Sequence, residues 1–452
     1  MNSFDLLRAF TPDQTSHVVA VGETGTRTVS DLLYDVACVG ANLPRGEGEI
    51  LVTCQDRYYL AVTLLAAWRA GRVVALPPNA REQTLSELAA HCTFALHDGS
   101  GPGQNMMAWL HTRTAHAAEH ALPAIPAEQI IVTIYTSGSS GAPTPCRKSA
   151  AQLLGEGETL QRTFRLSRES CVLATVPAHH IYGMLFSILL PLAAGARFVR
   201  ETPLLTPVIE DSARRYQANV LVSVPAHLRV LSESQLTSLA SVRRIFSSGA
   251  PLADATAHEL HRRFQVSVYE ILGSTETGGF AHRRADADGA RFRPFAGVTI
   301  TSDDDQALCL RSPLLDPSVP QPLACPDRIE LNADGSFRHL GRIDGVVKVG
   351  GTRVSLAELE TRVRALGGVL DVAVLAVDGT RARGQEIWLV IASERGQELP
   401  ELRAHLLRYY EPVLLPRRVR FIDALPREAT GKLMRARLLE LFRSSKSEST
   451  QP

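Results

Sequence analysis

Tyr135-Thr136-Ser137-Gly138-Ser139-Ser140-Gly141-Ala142-Pro143 follows directly on the apolar run Ile130-Ile131-Val132-Thr133-Ile134. A β-branched run that gives way to glycines and hydroxyls reads as a buried strand feeding an exposed loop. The glycines let successive backbone N–H groups converge on an anion, and the hydroxyls of Thr136, Ser137, Ser139 and Ser140 can donate to phosphoryl oxygens without adding charge. Such a loop suits polyphosphate. A solvated Ser/Gly turn is the plain alternative for this composition, and the choice rests on the rest of the chain.

Outward from the loop, strand and helix patterns alternate. Leu32, Leu33, Val36, Val39 and Leu43 form a helical stripe behind Ser30 as N-cap. Ile50–Thr53 reads as a strand, Leu60–Arg69 as a helix closed by Gly71, and Val73–Leu76 as a strand stopped by Pro77-Pro78. This spacing predicts an α/β fold with mixed, mostly parallel sheets, and ligands on such sheets sit where strands run out into loops. Residues 97–128 are polar and alanine-rich and read as a surface connection. The run Ile181–Ala194, interrupted by Gly183, Ser187 and Pro191, reads as buried core.

Past residue 344 the texture changes. Ser355-Leu356-Ala357-Glu358 is a capping box opening a helix that Gly367-Gly368 should end. Val372–Val377, Ile387–Ile391 and Val419–Ile422 read as strands and Leu399–Tyr409 as a helix. The expectation is a large domain over residues 1–343, a small α+β domain over 344–442, and a frayed, disordered tail over 443–452.

Composition narrows the function. The 452 residues carry 48 Lys and Arg against 47 Asp and Glu, which gives no electrostatic case for nucleic acid or an anionic membrane as partner. Seven scattered cysteines without a CxxC pair fit a reducing, cytoplasmic setting, and no apolar run reaches bilayer length. His116-Ala117-Ala118-Glu119-His120 has the inverted zinc-protease spacing but no downstream acidic ligand helix, and Gly155-Glu156-Gly157 begins a dinucleotide fingerprint without its third glycine. Neither is carried forward.

Further stretches gain meaning together: Pro177-Ala178-His179-His180-Ile181-Tyr182-Gly183, Ser247-Ser248-Gly249-Ala250-Pro251-Leu252, and Leu272-Gly273-Ser274-Thr275-Glu276-Thr277. Gly341-Arg342-Ile343-Asp344 leads through Lys348, Gly350 and Gly351 to Arg353 and Glu358, and Pro426-Arg427-Glu428-Ala429-Thr430-Gly431-Lys432 lies near the end. With the loop, these resemble the motifs of the adenylate-forming superfamily, which comprises acyl- and aryl-CoA synthetases, peptide-synthetase adenylation domains and luciferases. The resemblance runs from about Val29 to about Arg435, with the motifs in the same order.

The resemblance implies ATP and Mg²⁺ as cofactors. Thr136, Ser137, Gly138, Ser139, Ser140 and Gly141 would hold the β- and γ-phosphates, Glu276 would hold the metal, and Thr275 would contact the α-phosphate. Ser248, Gly249 and Ala250, with Leu272 and Gly273, would border the adenine and acyl pockets, and His180 would stand between ATP and the acid. Asp327 would grip the ribose hydroxyls with Arg342 assisting. Lys432 would reach the carboxylate and α-phosphate during adenylation. Asp344 would be the hinge of a mobile small domain, after whose rotation Lys348, Gly350 and Gly351 would line the channel for a phosphopantetheine thiol, of coenzyme A or an acyl carrier protein.

Three departures from the family pattern stand out. The lysine expected after the loop's proline is Thr144, with Lys148 as nearest replacement. The aromatic expected on adenine is Leu272. The region before the loop is short, and with Pro143–Lys148 it resembles compact stand-alone aryl or acyl ligases of aryl-polyene-type pathways. The implied substrate is a small carboxylic acid, aromatic such as a hydroxybenzoate, ahead of a fatty acid. A non-catalytic nucleotide- or carrier-binding homologue is the rival from another class.

Overall fold

The structure, a computed structural model, describes residues 3–10, 15–111, 124–137, 143–236, 238–239, 241–303, 306–342, 346–350, 352–379, 385–393, 401–426 and 435–442. The chain divides into two compact units. One comprises residues 1–80, 84–136 and 145–343, the other residues 344–452 together with 81–83 and 137–144.

One sheet has six strands, in the order Pro143–Ser149, Ile130–Ser137, Val73–Leu76, Glu49–Val52, Phe94–His97 and Gln104–Asn105. Val73–Leu76 pairs in parallel with both Glu49–Val52 and Ile130–Ser137. The helix Arg57–Arg69 is buried on every side, as expected of a helix apolar all round. Its Trp68 donates from Nε1 to the Ile131 carbonyl at 2.7 Å. This ties the strand that feeds the loop to the centre of the core.

A second sheet has thirteen strands. Val18–Val21, Arg197–Val199, Cys171–Ala174, Val220–Ser223, Arg244–Ser247 and Ser267–Ser274 run parallel, each beside the next. Beyond Ser267–Ser274 every pairing is antiparallel, beginning with Gly278–Arg284 and continuing through Arg291–Pro294, Phe337–Arg342 and Leu323–Leu331. On this side of the sheet parallel pairing therefore gives way to antiparallel at the turn Thr275-Glu276-Thr277; at the other end Val18–Val21 pairs antiparallel with Arg27–Thr28.

In the second unit, Ser355 Oγ accepts from the Glu358 N–H at the start of the helix Leu356–Arg364. Val369–Asp378 and Gln385–Ser393 pair antiparallel, and Arg418–Ile422 adds in parallel. Leu359, Val363, Leu389 and Ile391 fill the core beneath them.

Several boundaries differ from expectation for identifiable reasons. The first helix, Val29–Asn42, is capped by Thr28 rather than Ser30, because Thr28 and Asp31 close a reciprocal capping box. The loop strand continues to Ser137. The helix expected over Leu399–Tyr409 spans Leu402–Leu407. Residues 97–128 are not simply a surface connection: Met106 is fully buried against Cys54 and Thr63. His116 to His120 lie outside the described residues. Ile181–Ala194 is buried core as expected, wound as two short helices around a wide turn at Leu185–Leu189. Among the described residues no helix is long and apolar enough to cross a membrane.

Candidate active site

Four neighbouring parallel strands end at Ala174, Ser223, Ser247 and Ser274. The stretches singled out in the sequence follow them: Pro177–Gly183, Ser248–Leu252 and Thr275–Thr277 leave the same, carboxyl edge of the sheet, where α/β folds bind ligands.

The Thr275-Glu276-Thr277 turn is the best-anchored feature of this edge. Ser274 and Thr277 bond to each other through backbone and hydroxyl groups at 3.0–3.1 Å. Gly273 sits so close to the returning strand that a Cβ there would meet the Gly278 carbonyl oxygen at 2.5 Å, so only glycine fits. The strand Pro143–Ser149, which follows the loop, holds the turn from outside. Cys146 Sγ donates to the Thr275 carbonyl at 3.5 Å, and Lys148 Nζ donates to the Glu276 carbonyl at 2.8 Å. Lys148 is 3% exposed, whereas the Glu276 side chain faces solvent.

Glu156 supports the other strand of this hairpin, and the sequence reading passed it over. It lies on the helix Ala150–Phe164, is 4% exposed, and accepts the Gly279 N–H at 2.6 Å. Cβ atoms on Gly278 and Gly279 would come within 2.7 and 3.0 Å of its carboxylate. Burial raises its pKa to about 7, against the lowering pull of the Gly279 amide and the Lys148 charge.

Behind the Ser248–Leu252 loop lies a buried ion pair. Arg283 Nε meets Glu270 Oε2 at 2.6 Å, Nη1 reaches Asp254 at 2.6 Å, and Nη2 donates to the Leu252 carbonyl at 2.8 Å. Glu270 accepts the Leu252 N–H at 2.8 Å, so both backbone groups of Leu252 are held. Ser248 donates to the Ile271 carbonyl at 2.9 Å, Gly249 takes φ +90°, and Ala250 is half-buried. Leu272 packs against the hydrophobic cluster that contains Phe280, Ile329 and Phe337.

At the first of these strand ends, His180 is exposed and occupies the N-cap of the short helix Ile181–Met184. Burial pushes the pKa of neighbouring His179 down to about 4, keeping it neutral. Gly183 packs on the Pro177 carbonyl, where a side chain could not fit. Thr175, Ser223 and His227 form a hydrogen-bonded group at the ends of two adjacent strands, with 2.8 Å between the hydroxyls and 3.0 Å from Thr175 to His227 Nδ1.

Asp327 and Arg342 are partners in the ladder between Leu323–Leu331 and Phe337–Arg342. The Asp327 carboxylate is bonded to His339, Nε2 to Oδ1 at 2.8 Å. Thr136 is half-buried near the end of the loop strand, and Ser137 closes it. Tyr135 beside them donates to Glu49 Oε2 at 2.9 Å, and Thr133 donates to Oε1 at 2.6 Å. In the second unit Lys348 is half-buried opposite Arg353, and Gly350, at φ +59°, packs directly on Val413. Gly138, Ser139, Ser140, Gly141, Asp344, Gly351 and Lys432 lie outside the described residues.

Among the described residues no three His, Cys, Asp or Glu side chains are grouped to cage a metal ion. Glu276, a solvent-facing carboxylate on a fixed backbone, fits a magnesium that keeps its waters and takes its other ligands from phosphates.

A family model for AMP-binding enzymes matches residues 9–306. The 4-coumarate–CoA ligase of Cereibacter sphaeroides is 32% identical over 303 residues, covering 67% of this chain and 69% of that protein. That of Halorhodospira halophila is 29% identical over 310 residues, covering 67% and 74%. Among solved structures, o-succinylbenzoate–CoA synthetase of Bacillus subtilis shares the fold with a TM-score of 0.81 at 18% identity, covering 96% of this chain and 98% of that one. With the sheet edge, the anchored hairpin and the family model in agreement, this chain belongs to the AMP-binding family of adenylate-forming enzymes.

Proposed function

We propose that the protein is an AMP-forming acid–thiol ligase that activates an aromatic carboxylic acid with ATP and passes the acyl group to a phosphopantetheine thiol. The observation that carries this reading is the bonding of the Thr275–Glu276 turn to the strand that follows the Ser/Gly loop. An edge strand of one sheet and a turn of the other, far apart in sequence, are thereby fixed together. The 4-coumarate–CoA ligases among its relatives support an aryl acid and coenzyme A; a carrier protein is the alternative acceptor.

In the first half-reaction a carboxylate oxygen attacks the α-phosphorus, the bond to the bridging oxygen breaks, and pyrophosphate leaves. Two anions meet, so the barrier is chiefly electrostatic. Magnesium, when bound, would neutralise phosphate charge, and Glu276 would be its protein ligand. Thr275 contacts the α-phosphate, Asp327 and Arg342 take the ribose, Ser248–Ala250 border the adenine, and His180 borders the acid. Lys432 reaches the reacting groups from the small domain, residues 344–442, whose rotation about Asp344 brings Lys348, Gly350 and Gly351 to the thiol channel. The thiolate then attacks the acyl carbon and AMP leaves.

The test is pyrophosphate release with ATP and Mg²⁺, without thiol, across benzoates, hydroxycinnamates and fatty acids. Release confined to aryl acids supports the reading, and the active acid is then offered coenzyme A and a carrier protein. Preference for fatty acids refutes the aryl assignment.

A further inference from the structure

We propose that His339 is a positioning residue for nucleotide recognition, holding the Asp327 carboxylate in the plane from which it engages the ribose hydroxyls. The inference rests on the ribose role proposed for Asp327.

Three observations carry it. First, the contact is short and sheltered: Nε2 lies 2.8 Å from Oδ1, and the two side chains are 15% and 13% exposed. An ionised carboxylate only accepts, so the imidazole donates from Nε2, and that defines its tautomer. Second, the backbone is built for this pair. Arg328 pairs with Gly341 but Ile329 pairs with His339, so Leu340 is an extra residue, a bulge in its strand. In a regular ladder Leu340 would pair with Ile329 and share the face of Asp327, because side chains alternate and a one-residue slip exchanges faces. The bulge instead leaves Leu340 46% exposed and turns His339 toward the carboxylate. Third, the support beneath is rigid: Ile329 and Phe337, flanking the pair on the two strands, are fully buried.

A carboxylate that must accept from two vicinal hydroxyls gains from having its plane fixed beforehand, since a freely turning group would lose that freedom on binding. The orienter acts through the acceptor rather than on the reacting atoms, as second-layer hydrogen bonds do around other ligand-binding groups. His339 should therefore influence how well the nucleotide sugar is recognised and leave the chemical step alone.

The experiment compares ATP with 2′-deoxy-ATP in pyrophosphate release by the full chain and by its His339→Leu, His339→Gln and Asp327→Asn variants, each with its thermal midpoint. The wild type should prefer ATP. His339→Leu should raise KM for ATP about tenfold, the scale of one charge-assisted hydrogen bond, with kcat little changed and the KM for 2′-deoxy-ATP, which keeps only one of the two hydroxyls, raised less. His339→Gln, which keeps a donor, should restore most of the preference. Asp327→Asn should also lose it. If His339→Leu keeps the ATP preference while Asp327→Asn loses it, the positioning role is overturned and the ribose reading stands. If neither variant loses it, the ribose reading has failed and the proposal with it. Equal loss with both nucleotides that tracks a fallen thermal midpoint, unrelieved in His339→Gln, marks His339 as structural and also overturns the proposal.

Discussion

The ammonium of Lys148 donates to the backbone carbonyl of Glu276 at 2.8 Å, so the lysine nearest the Ser/Gly loop secures the turn that carries the proposed magnesium ligand. Lys148→Met should leave that carbonyl without its charged donor and cost about 1.5–3 kcal/mol, the usual worth of a hydrogen bond to a charged group. Because the turn carries Glu276, the Mg²⁺ concentration for half-maximal pyrophosphate release should also rise. Urea unfolding and a magnesium titration check the two effects. An unchanged magnesium requirement in a destabilised variant would separate the anchor from the site.

Glu156 gives a pH signature. Its folded pKa, about 7, is raised above the ordinary 4.5 chiefly by burial. A raised carboxyl pKa favours the folded state while the group is protonated. That contribution is complete below about pH 4.5 and is lost as pH climbs through about 7, amounting to about 3 kcal/mol. Glu156→Gln removes the titration and retains an acceptor for the Gly279 N–H. The variant's stability relative to wild type should therefore improve between pH 5 and pH 7 in urea unfolding and level off above. A constant difference would show that Glu156 is charged throughout.

Arg283 and Glu270 are each 5% exposed and bonded at 2.6 Å. Arg283→Met strands a buried carboxylate and should cost about 3–5 kcal/mol. The double variant Arg283→Met, Glu270→Leu removes both charges and should recover part of that loss. ATP binding should weaken in both, because the Leu252 carbonyl loses its anchor in the single variant and the Leu252 N–H loses its own as well in the double one. Denaturant melts and nucleotide titrations read these outcomes.

Lys432→Ala tests the two half-reactions separately. Adenylate formation should be lost, whereas thioester formation from preformed acyl-adenylate should survive, since the lysine is proposed to serve only the first. Equal loss of both would contradict domain alternation.

The sequence made some of this legible and hid the rest for physical reasons. Val73–Leu76 is a run of apolar residues between Gly71 and Pro77, and it forms a strand with those bounds. The stretches at the sheet edge were visible because glycines and hydroxyls directly after an apolar run mark the point where a strand leaves the core. The strand Pro143–Ser149 was not visible, since Pro143, Pro145, Arg147 and Lys148 argue against a strand. It is an edge strand, where prolines and charges are tolerated. Glu156 sits in a Gly-Glu-Gly-Glu stretch that looks solvated, and its burial comes from glycines more than a hundred residues away. The approach of His339 to Asp327 depends on a single bulge residue, which no periodicity announces.

The central claim is acid activation by adenylation, and acid-dependent exchange of labelled pyrophosphate into ATP tests it most directly. With Mg²⁺, a hydroxycinnamate or hydroxybenzoate and no thiol, the wild type should exchange label, while Glu276→Ala should lose the exchange and stay folded. A folded wild type that binds ATP yet exchanges nothing with any carboxylic acid would contradict it.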